Sequence, residues 1–222
     1  MSATVIGVAM LVIGVLIGFG ITKAMDHNSN NSSSTNSSAV ALSDTKANTL
    51  RMNLVTLGID HMTLTDQAVD AALDGSPDAS AFGTALNDNG TAIGAAVGSV
   101  YGSSAQNTFD KVWQLHLNDF VKYAVADKAG DAAAKTAALS DINTNYTMPL
   151  AQFLAKANPN LPEATLQSAL NDHIQMTAQM IDYHVQGNYT AEANELNMAN
   201  THIAGLFNTL ANGIIKQYPS KF

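Results

Sequence analysis

The sequence predicts an all-α protein, an N-terminal transmembrane helix followed by a six-helix domain of three helical-hairpin repeats. Three observations predict it. Residues 5–21 carry no charged or strongly polar side chain. Beyond Ser43, apolar side chains recur every three or four residues among abundant Ala and Leu, the period of a helix with one buried face. A histidine also precedes a helix-ending glycine by 14 residues three times, His61 before Gly75, His116 before Gly130 and His173 before Gly187.

Residues 1–25 are expected to be the anchor, because at ~1.5 Å per helical residue the apolar run approaches the thickness of a bilayer core. The basic segment of a secretory signal is missing and Thr22-Lys23-Ala24 is a poor cleavage site, so the helix is read as uncleaved, touching the membrane through residues 4–22. Gly14 and Gly18 form a G-x-x-x-G pair on which two such helices can approach as a homo-oligomer. Residues 26–42 are a Ser/Asn-rich tether whose stretch from His27 to Ser38 has nothing apolar to bury, and His27 within it is solvent-facing. Asn30, Asn31, Asn36, Asn89, Asn145 and Asn188 open glycosylation sequons that matter in a glycosylating host.

Residues 43–222 form the bundle, with hairpins at about 43–102, 103–158 and 159–222. Ser76-Pro77 and Pro162 are expected to open helices, with proline at the first helical position. Pro149 is expected to kink or divide the fourth segment. Seams of four-three spacing run through Leu50, Leu54, Leu57, His61, Leu64 and Ala68, through Phe109, Trp113, His116, Phe120 and Tyr123, and through Leu166, Leu170, His173, Thr177, Met180 and His184. All three repeated histidines therefore point inward. Asn89 and Asn200 occupy similar places in the second helices of hairpins one and three, where the middle hairpin offers Asn143, Asn145 or Tyr146. A period of about 55 residues means three units that bury their faces on one another.

Composition narrows the function. Eighteen acidic against ten basic residues, a net charge of −8 and a single arginine disfavour nucleic acid as a partner. With no cysteine, disulfides, thiolate metal sites and thiol nucleophiles are excluded. The Cys-free, acidic, Asn/Thr-rich composition places the bulk of the chain outside the cytoplasm. Glu163, Glu192 and Glu195 have no histidine three residues on, which excludes a di-iron Glu-x-x-His bundle. Asp60, Asp172 and Asp182 lie near histidines, yet neighbouring helical positions diverge by about 100°. An enzyme is the weaker class.

The inward trio His61, His116 and His173 suits a metal ion or haem, since neutral imidazoles on rigid helices are good transition-metal ligands. Met176, Met180, His184, Met198 and His202 form a second candidate cluster of thioether and imidazole, which favours copper over zinc or haem. The alternatives are histidines that only pack, in a cell-surface interaction or structural module, and methionines that are core filler. Trp113, Phe120 and Tyr123 beside His116 are core side chains or the lining of a pocket.

The three histidine hairpins and the ending Gly213-Ile-Ile-Lys-Gln-Tyr-Pro-Ser-Lys-Phe222 give a chain that resembles uncharacterised helical proteins of Gram-positive and related bacteria, some bearing a kinase-like label. The likeness covers roughly residues 50–222 and implies an all-helical fold with no established activity. The relatives place a tryptophan shortly before the first histidine, where this chain has Leu57 or Gly58. No strand followed by a glycine-rich loop and helix is present to cradle phosphate, so nothing supports a kinase.

Overall fold

The computed structural model describes residues 46–222. The anchor, the tether, Gly14, Gly18 and His27 lie outside the described residues. Those described are all-helical, in six segments: α1 (Lys46–Asp74), α2 (Ala79–Tyr101), α3 (Ser103–Lys128), a fourth divided into α4 (Ala132–Ile142) and α5 (Met148–Ala157), α6 (Glu163–Val185) and α7 (Tyr189–Gln217). Among the described residues no helix is long and apolar enough to cross a membrane.

Each helix packs on its neighbour in sequence, and α7 returns to pack on α1, which closes the helices into a ring. Across that ring α1, α3 and α6, the three histidine helices, meet one another. They meet because each carries a full inward stripe. In α3 and α6 every residue of the predicted seams is buried. In α1 the buried face is rotated from the expected one: Leu54, Gly58, His61, Met62 and Thr65 are buried, whereas Leu57 and Leu64 are half-buried. The reason is that α1 is clasped by both α2 and α7. Gly58 admits the Phe207 ring so closely that a β-carbon there would lie 2.7 Å from it.

The fourth segment divides at Pro149 as expected, by a π turn over Asn143–Thr147. Proline has no N–H to donate and its ring crowds the carbonyl four residues back, so the wider turn, which holds that carbonyl, accommodates Pro149 in the first turn of α5. Helix starts differ from expectation. Ser76 does not cap α2; its hydroxyl donates to the Asp78 carboxylate, and Asp78 is the residue preceding the helix. Pro162 stands just outside α6, where its carbonyl accepts from Leu166 N–H at 3.1 Å.

The helix ends keep the repeat most faithfully. Ser76 N–H donates to Ala71 O at 2.8 Å and Gly75 N–H to Ala72 O at 3.3 Å. The same two bonds run from Asp131 to Ala126 and Gly130 to Asp127, and from Asn188 to Tyr183 and Gly187 to His184, all at 2.9 Å. This is the Schellman ending, which satisfies orphan carbonyls by placing one residue at positive φ. Gly75, Gly130 and Gly187 take φ of 67°, 69° and 69°. Because a β-carbon makes that conformation cost ~1–2 kcal/mol, Gly187→Ala is expected to lower the melting temperature by about 2–8 °C. Calorimetry checks this, and an unchanged melting temperature would show that the chain ends α6 by another route.

Candidate metal centre

The shared 14-residue interval from histidine to cap sets the three imidazoles at one level of the ring. His61, His116 and His173 are 1, 1 and 2 % exposed. Each offers a ring nitrogen, and the three nitrogens lie within 4.8 Å of one another. The His61 ring centroid is 5.6 Å from that of His116 and 5.8 Å from that of His173. Packing histidines separated by aliphatic side chains would not approach in this way.

Hydrogen bonding around the trio is incomplete. His116 Nδ1 donates to the Trp113 carbonyl, which fixes the tautomer and leaves Nε2 with its lone pair, buried and without a partner. His61 Nδ1 and His173 Nδ1 are likewise buried with no partner. An unpaired buried polar atom costs about 1–3 kcal/mol, so one on each of three neighbouring histidines is an unusual concentration. Burial first, and the neighbouring imidazole second, hold all three well below the ordinary histidine range, with His116 and His173 pushed down to about 3. Neutral imidazole is the form that ligates metal.

Aromatic rings fix these histidines from behind. Tyr146, in the π turn, stacks on His116 with centroids 4.1 Å apart, so the residue that the middle hairpin offers in place of the asparagines is a ring platform. Trp113 lies 4.7 Å from His61 and 4.8 Å from His116. Gly90 on α2 makes room for it, since a β-carbon there would stand 2.6 Å from the indole nitrogen. Thr65 and Thr177, one turn beyond His61 and His173, return their hydroxyls to the histidine carbonyls at 2.7 and 2.9 Å. Asn89 donates to Leu57 O at 3.0 Å, and the side-chain oxygens of Asn89 and Asn200 are both buried without partners. Asp60 and Asp172 are exposed and take no part.

In front of the histidines lies a cavity of about 480 Å³ between α1, α2 and α3, with His61, His116, His173, Thr65 and Thr177 at its inner end. Phe120 lines it, while Trp113 belongs to the core behind. Tyr123 faces away, donating to Asp182 at 2.6 Å. Asp182 also pairs with Lys135 at 2.8 Å and so does not orient His184.

The structure does not bring the second candidate set together. His202 Nε2 donates to Ala169 O at 2.8 Å, Met198 is 53 % exposed, and Met180 is buried in the core with Met176 packed against it. His184 instead meets carboxylates, Asp70 at 2.9 Å, Glu192 at 3.0 Å and Asp74 at 3.2 Å. Burial lowers its pKa, but Asp70 and the bonds to Asp74 and Glu192 outweigh this and raise it. Burial, with Asp66 and Glu192 nearby, pushes Asp70 up to about 8, and Asp66 rises to about 6. Asp70, His184 and Glu192 form a second group whose ligand-type atoms lie within 4.8 Å of one another. The sequence signal for it is the run Asp66, Asp70, Asp74, three carboxylates one turn apart on α1. No protein-family model, curated protein or solved structure matches the chain.

Proposed function

We propose that the protein is a membrane-anchored, extracytoplasmic binding protein that holds one transition-metal ion on His61, His116 and His173. The observation that carries this reading is the convergence of three buried imidazoles, each with an unpartnered ring nitrogen. A tetrahedral ion at ~2.0–2.1 Å from each nitrogen requires nitrogens about 3.3 Å apart. The three nitrogens lie within 4.8 Å of one another without an ion, and binding would draw them closer. Three nitrogen ligands and no thiolate suit copper or zinc, with copper the tighter in the general order of divalent affinities. The methionine cluster no longer argues for copper, because its members are dispersed. Haem fits less well, since its iron takes at most two of these imidazoles as axial ligands and would leave at least one of the three convergent nitrogens without a role.

The test uses the full chain in lipid nanodiscs, free of any affinity histidine tag. Trp113 is the only tryptophan and sits against two of the three ligands. One equivalent of Cu(II) is expected to quench most of its fluorescence, whereas Zn(II), which has no open d shell, is expected to bind without quenching and to be displaced by Cu(II). Elemental analysis should give one ion per chain. No stoichiometric ion and no saturable quenching would leave the histidines as core residues of an interaction module.

A further inference from the structure

A three-histidine site would leave the fourth position of a tetrahedral ion open, and here all three histidines line one cavity, which would offer that position room for a ligand. Structural and storage sites are closed by protein on every side; this one ends in a chamber. Its volume of about 480 Å³ is that of a small-molecule pocket. The walls are aliphatic, with Val69, Leu86 and Leu117 among them, and small residues such as Gly83 and Ala124 keep the space open. Exposed Val121 and Val125, on successive turns of α3, carry the apolar lining out to the surface. Lys128 is the one charged side chain of the lining, and its ammonium donates to the Leu73 carbonyl. Polar lining groups are also engaged, Asn87 with Gly83 O at 2.8 Å and Gln114 with Asn118 at 3.5 Å. An anion or a sugar would find little to bond with along these walls, and its desolvation would go uncompensated.

We infer that the chamber takes a small, neutral, mostly apolar molecule that places one lone-pair atom on the ion held by His61, His116 and His173. This rests on the metal reading above, and the experiment separates the two. The full chain in nanodiscs is loaded with Co(II), whose visible bands report coordination, and titrated with imidazole and with 4-phenylimidazole. Both share the donor atom, and only the second fills an apolar chamber. The bands are expected to shift with both, the phenyl compound binding at least tenfold more tightly.

Gly83→Leu projects a side chain into space where a β-carbon meets nothing within 4 Å. It is expected to keep Co(II) stoichiometry and lose the tenfold preference, while Gly83→Ala keeps both. Co(II) bound with bands that ignore either compound, or equal affinity for the two, would overturn the chamber inference and leave the metal site standing. Failure of Co(II), Zn(II) and Cu(II) alike to bind would remove both.

Discussion

His116→Phe is expected to abolish stoichiometric metal binding while leaving the bundle folded. Removing one of three ligands from an ion worth about 10 kcal/mol or more of binding should weaken affinity at least about a hundredfold. Phenylalanine keeps a ring against Tyr146, whose centroid lies 4.1 Å from that of His116, and fills the same fully buried position. His116→Ala removes the ligand too, but also opens a cavity beside Tyr146 and Trp113, at a cost of order 2–5 kcal/mol. Isothermal titration with Cu(II) or Zn(II), alongside thermal melts of both variants, separates loss of a ligand from loss of packing. Unchanged stoichiometry and affinity in His116→Phe would sink the shared site.

The second expected result concerns the metal-free protein in acid. In the folded state His61, His116 and His173 stay neutral far below the ordinary value of 6.5, because a charge at that depth is poorly solvated. Unfolding frees them to take up protons. The unfolded chain therefore binds more protons below about pH 6.5, and stability falls as pH falls through that value, by up to about 1.4 kcal/mol per pH unit for each histidine.

Asp70 and Asp66 act in the opposite sense. Their folded pKa values of about 8 and about 6 mean that the folded state holds protons which the unfolded state releases. They reduce the acid slope, and Asp70, with the raised His184, lowers stability as pH rises toward 8. Denaturant melts of the chelated full chain from pH 5 to pH 8 should show a maximum near pH 6.5. The acid limb should become shallower by about one proton in His116→Phe. An acid limb identical in that variant would show that His116 does not titrate on unfolding.

Much of the architecture follows from local rules and could be read without coordinates. The 14-residue interval between histidine and glycine is legible because both ends have local causes. The glycine is set by a cap that needs positive φ, and the histidine by its place on a 3.6-residue face. Pro149 announced its break for an equally local reason, a missing donor. The start of α2 was less legible, since Ser76 can cap a helix or pair with Asp78 and only the surrounding turn chooses between them.

The site divides along the same line. Inward histidines on α1, α3 and α6 follow from periodicity, and their common level follows from the repeat. Periodicity assigns a side chain to a face and says nothing of which partner helix that face meets. Met176, Met180, His184, Met198 and His202 therefore read as one soft-ligand annex on paper. The return of α7 past α6 and onto α1 gives His184 to Asp70, Asp74 and Glu192, and His202 to the Ala169 carbonyl. The cavity is likewise invisible along the chain, because the small residues that leave it open belong to helices distant in sequence. By itself the sequence determined the helices, their glycine-capped ends and the inward turn of the histidines on α1, α3 and α6. The tertiary structure alone decided which faces meet, because that choice depends on how complementary surfaces pack over the whole ring and on no local residue pattern.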